Sequence, residues 1–269
     1  MQKQFQYKNA TISYTLVGSG QPVVLLHGFG EDSRIFNEQL EFLKEHCLLI
    51  IPDLPGSGLS SILPFDAGID DYAHCIKSLL EFENIASCVI LGHSMGGYIA
   101  LAFAEAYPQM IRGLGLIHST AFADGEEKKV LRRKAILFMQ DKGAFAFLKT
   151  SIPNLFSKKF REAFPERIES LIEDSRQLST EVCCQYYYAM INRPDRTNVL
   201  KSNLLPVLFV IGTEDMAVPM DDIVKQVHLP GCSYIHILEN TAHMGIWEAT
   251  AQVNLYLLDF IKQVTTLAP

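Results

Sequence analysis

No apolar run in this 269-residue chain reaches the roughly 18 residues a membrane span needs. The opening MQKQFQYKN also lacks the apolar core of a secretory signal, so a reducing cytoplasm is the expected compartment. Basic residues are in deficit, 23 against 30 acidic, and the net charge of -7 argues against a general binder of nucleic acid or anionic membrane. There is no internal repeat and no low-complexity segment. Six cysteines are present without a metal or disulfide pattern: Cys47, Cys75 and Cys88 fall in apparent strands or helices and Cys183 and Cys184 are adjacent, so buried free thiols are expected. What remains is small-molecule chemistry, with no metal or organic cofactor called for by any motif.

Hydrophobic residues make up 48% of the chain, enough for one sizeable core with a smaller inserted unit. Residues 3 to 17 alternate apolar and polar around Lys8-Asn9-Ala10 and read as a hairpin. Short continuous apolar runs follow at Pro22 to Leu26, Cys47 to Ile51, Cys88 to Leu91 and Leu114 to Ile117, the signature of strands buried on both faces. Helical patterns lie between them at Ser33 to Glu45, Ile69 to Phe82 and Met95 to Tyr107. The alternation predicts an α/β fold with a mostly parallel central sheet flanked by helices. It stops after Ile117: residues 121–195 hold helical stretches and no convincing strand. Strand character returns at Pro206 to Ile211 and Tyr234 to Leu238, and an amphipathic helix from about Trp247 to Val264 closes the chain. The division expected is a core of residues 1–120 and 196–269 interrupted by a helical insertion at 121–195.

Gly92-His93-Ser94-Met95-Gly96 matches G-x-S-x-G and lies between a strand and a helix, the context that motif requires. A serine on so sharp a turn projects its hydroxyl above the carboxyl edge of the sheet, and flanking glycines let helix and strand approach closely. The N–H groups that open the helix can donate to an anion.

With four further stretches in the same order, the chain resembles the α/β-hydrolase superfamily over nearly all its length except the insertion. These are His27-Gly28-Phe29-Gly30 after PVVLL, Asp53 to Gly58 after CLLIIP, Gly212-Thr213-Glu214-Asp215 with Val218-Pro219, and Thr241-Ala242-His243. A serine hydroxyl needs a base, and the base an orienting carboxylate. The resemblance supplies these in the order serine, acid, histidine, which assigns Ser94 as nucleophile, Asp215 as acid and His243 as base. Asp215 and His243 follow predicted strands, at the same sheet edge as Ser94. His93 is too close to Ser94 on the turn to fold back onto it, His27 is expected to brace its loop, and His236, His46, His74 and His228 lie in strand or helical context. His118, just past a strand, is the other histidine able to approach the site, and Glu214 is the second choice of acid. Glu239 and Asp53 read as structural. The resemblance also implies an oxyanion hole from the backbone N–H groups of Phe29 and Met95, with Phe29 alternatively a lining residue only.

In the same likeness the insertion covers the site as a cap. Its aromatics, Phe138, Phe145, Phe147, Phe156, Phe160, Phe164 and Tyr186 to Tyr188, are expected mostly in the cap's own core, with a remainder lining an apolar pocket. Lys128, Lys129, Arg132, Arg133 and Lys134, beside Glu126 and Glu127, read as a solvated helix face; the other reading is that one arginine receives a substrate carboxylate. The function implied is a serine hydrolase acting on small to medium carboxylic esters, its partner a small-molecule ester; no motif specifies an oligomeric state. Relatives that displace halide or open epoxides carry aspartate where Ser94 stands. Carbon-carbon bond hydrolases, enol-lactonases and eliminating enzymes share the serine triad, and a ligand sensor with slow turnover is the alternative from another class.

Overall fold

The computed structural model describes residues 1–202 and 205–266; positions 203, 204 and 267–269 of the expected second core segment lie outside them. Eight strands form one sheet: β1 (Gln2–Tyr7), β2 (Ala10–Val17), β3 (Pro22–Leu26), β4 (Leu48–Pro52), β5 (Cys88–His93), β6 (Ile111–Ile117), β7 (Val207–Gly212) and β8 (Ser233–Leu238). Their order is β1-β2-β4-β3-β5-β6-β7-β8. The hairpin β1-β2 is antiparallel and β2 joins β4 antiparallel, while every later pairing is parallel. The expected mostly parallel sheet flanked by helices is what the chain forms.

Every residue of β5 and of β7 is buried, which requires cover on both faces of the sheet. That cover comes from α1 (Asn37–Leu43), α2 (Ile69–Phe82), α3 (Met95–Ala106) and the long C-terminal helix, with α2 packed on α3 and α1 on the C-terminal helix. β6 is longer than its apolar run suggested, because Gly113 interrupts the pattern without interrupting the strand. A side chain there would meet Phe260 and Val264 of the C-terminal helix within about 3 Å, so glycine is what lets that helix lie against the sheet.

Among the described residues no strand falls between β6 and β7. The segment instead forms α4 (Glu126–Lys142), α5 (Ala144–Ser151), α6 (Lys158–Ala163), α7 (Pro165–Asp174), α8 (Thr180–Asn192) and α9 (Thr197–Ser202). Short helix α10 (Met220–Val224) follows β7, and α11 (Gly245–Glu248) and α12 (Thr250–Thr266) follow β8. Two expected helices are therefore divided. Ser33 to Glu45 begins as a 3₁₀ turn, Ser33–Phe36, with Asp32 accepting from Arg34 N–H, before α1; the closing helix breaks at Ala249 between α11 and α12.

The aromatics of this helical stretch divide more evenly between core and surface than their number suggested. Phe156 and Phe160 are buried and stacked 5.2 Å apart, and Tyr186 and Tyr187 are buried, whereas Phe138, Phe164 and Tyr188 are exposed. Hydrophobicity alone overstated burial here, since a short helix has only one inward stripe.

Candidate active site

The parallel strands β3 to β8 end at one edge of the sheet, and that edge carries the candidate residues. Ser94 follows β5 and precedes α3 with φ 52° and ψ -119°, a strained turn for a residue with a Cβ. Gly96 makes the turn possible: a Cβ there would lie 2.1 Å from the Leu26 carbonyl oxygen on β3. Ser94 N–H donates to Ile117 O at 3.0 Å and its carbonyl accepts from Ser119 Oγ at 2.7 Å, tying the turn to the end of β6.

Asp215 lies three residues beyond β7 and His243 five beyond β8. The structure brings both to Ser94. His243 Nε2 is 2.8 Å from Ser94 Oγ, and its Nδ1 is 2.8 Å from Asp215 Oδ2. Asp215 Oδ1 accepts the N–H groups of Ala217 and Val218, both at 2.9 Å. Burial by itself would push the Asp215 carboxyl up; the His243 charge and hydrogen bonds from His118 and His243 outweigh it and hold the group far below the usual carboxylate range. An ionised Asp215 only accepts, so Nδ1 of His243 carries the proton and Nε2 is free to accept one from the serine hydroxyl.

The other histidines occupy distinct places. His27 Nε2 accepts the Leu54 N–H at 2.9 Å, bracing the two loops as expected. His93 turns away from Ser94: its Nδ1 is 3.3 Å from Glu31 Oε2 and its Nε2 donates to the His243 carbonyl at 3.0 Å. Burial opposes charge on His93, but the Glu31 carboxylate outweighs it and raises the imidazole, while Glu31 is lowered, so a buried ion pair underlies the His243 loop. His118 does reach the site, with Nδ1 3.1 Å from Asp215 Oδ2. Glu214 and Glu239 are exposed, and Asp53 accepts the N–H groups of Ser33 and Leu59, a structural bracket.

Ser94 and His243 open onto a cavity of about 520 Å³, within the usual size for small-molecule sites. Phe29 lines it, and Met95 is the first residue of α3, where N–H groups lack an intrahelical acceptor. The helical stretch contributes Leu131, Arg132, Leu155, Tyr187 and Met190 to the wall. It also holds the His243 loop: Leu155 O accepts the His243 N–H at 2.9 Å, and Glu248 accepts from Ser157 N and Ala242 N. Arg132 departs from the solvated face predicted for its run, turning inward to Asp124 at 2.6 Å, while Arg133 and Lys134 are exposed.

Three side chains, His118, Asp215 and His243, place ligand-type atoms within 4.8 Å of one another, close enough for a metal ion. Both Nδ1 atoms are already hydrogen-bonded to Asp215 Oδ2. The arrangement suits proton transfer. Sequence reasoning missed the Glu31 and His93 pair, because Glu31 belongs to no motif and is recognised only by what folds against it. Among the described residues no helix is long and apolar enough to cross a membrane.

A family model described as alpha/beta hydrolase fold matches residues 21–167. A thermophilic esterase from Thermogutta terrifontis superposes with a TM-score of 0.92 at 26% identity, covering 98% of this chain and 99% of that one. The (E)-2-((N-methylformamido)methylene)succinate hydrolase of Acinetobacter baylyi is 22% identical, over 91% of this chain and 92% of its own length. The dihydrolipoyllysine-residue acetyltransferase component of an acetoin cleaving system from Pseudomonas putida is 28% identical over 91% of this chain, which spans 64% of that protein's length.

Proposed function

The chain belongs to the alpha/beta hydrolase fold family, and we propose that it is a serine hydrolase cleaving small to medium carboxylic esters through an acyl-enzyme. The observation that carries the reading is His243, bracketed by 2.8 Å hydrogen bonds to Ser94 Oγ and Asp215 Oδ2. In the first half-reaction His243 Nε2 takes the Ser94 hydroxyl proton as Oγ bonds to the ester carbonyl carbon. The tetrahedral oxyanion collapses, the C–O bond to the alcohol breaks, and His243 returns its proton to the departing alkoxide. Water then adds to the acyl-enzyme with His243 again as base, and release of the carboxylic acid restores the serine hydroxyl. Asp215 holds the ring in the required tautomer and stabilises the imidazolium. The backbone N–H groups of Phe29 and Met95 are assigned to the oxyanion, supported by Met95's place at the start of α3 and by Phe29 in the cavity wall.

Residues 121–195 are assigned as a cap on a core formed by 1–120 and 196–269, because the helical stretch both lines the cavity and anchors the His243 loop. Six free cysteines favour a reducing compartment, the cytoplasm.

The test is covalent labelling by a fluorophosphonate together with hydrolysis of p-nitrophenyl esters of increasing acyl length, on the native protein and on Ser94→Ala. Labelling and turnover in the native protein, both lost in the variant, are expected. Tight ligand binding with negligible turnover would instead identify a sensor and overturn the reading.

A further inference from the structure

One carboxylate beneath the cavity wall is met by three cations. The Asp124 side chain is fully buried; its Oδ2 accepts from Arg132 Nε at 2.6 Å, its Oδ1 from Arg193 Nη2 at 2.9 Å, and Lys128 Nζ stands 3.9 Å from Oδ1. One negative and three positive charges leave two positive charges uncompensated within this cluster. Arg193 is sealed in, its side chain 3% exposed, with its guanidinium 3.8 Å from the centre of the Tyr98 ring and donating to the carbonyls of Met190 and Phe122. Arg132 and Lys128 differ, since both line the same cavity as Ser94 and His243.

The other acidic groups on the cavity wall cancel only part of this surplus. Glu31 is matched by His93 and Asp222 is paired with Lys225 at 3.0 Å, while Glu127, an exposed residue of the same wall, offsets one of the two charges and leaves a net positive one. The rest of the wall near the cations includes Leu131, Met190 and Val218, surfaces that screen charge poorly. Arg132 grips Asp124 through Nε, so the terminal nitrogens of its fork are not committed to that carboxylate. A guanidinium beside an aromatic ring, here 5.0 Å from the centre of Tyr187, is a planar receptor for a second carboxylate.

We infer that this site takes short esters that carry a free carboxylate, received by Arg132 with Lys128 beside it. The inference rests on the serine hydrolase reading and names its substrate class. It takes up the reading in which one arginine of the basic run receives a substrate carboxylate.

Two matched pairs of esters test it: p-nitrophenyl hydrogen adipate against p-nitrophenyl hexanoate for a carboxylate on the acyl side, and 4-acetoxybutanoate against butyl acetate for one on the alcohol side. The expected result is that in at least one pair kcat/KM of the anionic member exceeds that of the neutral one by about tenfold or more. In Arg132→Gln that ratio falls by about tenfold, and Arg132→Lys restores part of it. Free adipate is expected to compete with p-nitrophenyl hexanoate at concentrations at least about tenfold below adipamide, and this comparison on the native protein decides the matter if Arg132→Gln does not fold. Preference for the neutral ester in both pairs, a ratio unmoved in folded Arg132→Gln, or equal inhibition by adipate and adipamide would overturn the inference. Fluorophosphonate labelling of Ser94 with a neutral preference sinks this inference alone; no labelling and no turnover of any ester sinks the hydrolase reading beneath it.

Discussion

His118 and His243 share one oxygen of Asp215, their Nδ1 atoms lying 3.1 and 2.8 Å from Oδ2. With Ala217 and Val218 N–H groups on Oδ1, the carboxylate accepts four donors and has no lone pair to spare. His118 therefore competes with His243 for that oxygen and helps to fix the carboxylate in place. Under the proposed mechanism, His118→Phe, which keeps a ring and removes the donor, is expected to lower kcat/KM by about threefold to tenfold as Asp215 loses one of its anchors. His118→Asn, able to donate, is expected to lose less. Unchanged kcat/KM in both variants would show that His118 only fills space.

The same residue sets an acid limit on stability. Burial pushes the His118 imidazole down to about 4, despite the Asp215 carboxylate, which raises it. Its Nε2 is buried and has no hydrogen-bond partner among the described residues. An unfolded chain binds a proton at this side chain below about 6.5, whereas the folded one does so only near 4. Between those values the unfolded state holds more protons, so stability falls as pH drops through this window, by up to about 3 kcal/mol. Burial lowers His236 too and acts in the same sense, so the difference between proteins isolates His118. Melting curves from pH 7.5 to 4.5 are expected to show a shallower decline in His118→Phe than in the native protein; parallel declines would contradict the assignment.

The sheet was legible because its strands are short apolar runs with clear ends, and the candidate residues because each follows such a run by a few positions. Ser94 was marked by its motif, and Asp215 and His243 by the family resemblance, with strand ends placing all three at one edge. His118 was visible as a position beside the site, but its bond to Asp215 was not, since no spacing encodes which carboxylate a ring meets across β6 and β7. Arg132 shows the limit most clearly. It sits in a run of five basic residues within seven positions, and the helical turn that points it inward to Asp124 is set by packing of α4 on α8, a contact between distant segments. Among the cysteines, five are buried as expected, whereas Cys232, in the connection before β8, is exposed.

Glycine positions supply a test of the turn that carries Ser94. A Cβ on residue 96 would fall 2.1 Å from the Leu26 carbonyl oxygen, a backbone atom that cannot move without disturbing β3. Around a Cβ on residue 231 none of the described residues lies within 4 Å. Gly96→Ala is expected to lose activity and most of its soluble yield, while Gly231→Ala changes stability by no more than about 1 kcal/mol. Equal behaviour of the two variants in thermal melting would mean that β3 and α3 are not in the close contact described.

The buried charge cluster makes its own demand on stability. Asp124 is the shared counter-ion of Arg132 and Arg193, and the Arg193 side chain is only 3% exposed. Burial raises the energy of a lone carboxylate, yet the two guanidinium groups hold the Asp124 carboxyl below its usual range. In Asp124→Asn the shape is kept and the charge is removed, leaving cations in a region that water reaches poorly. Breaking such a pair by removing one partner costs about 3 to 5 kcal/mol. Urea unfolding of Asp124→Asn is expected to show a lower midpoint by that amount with an unchanged slope. Arg193→Met in the same background removes one stranded cation and is expected to recover part of the loss, because its apolar stem keeps the packing against Tyr98. If the double variant is no more stable than Asp124→Asn alone, uncompensated charge is not what the single substitution exposes, and the surplus positive charge assigned to this wall loses its support.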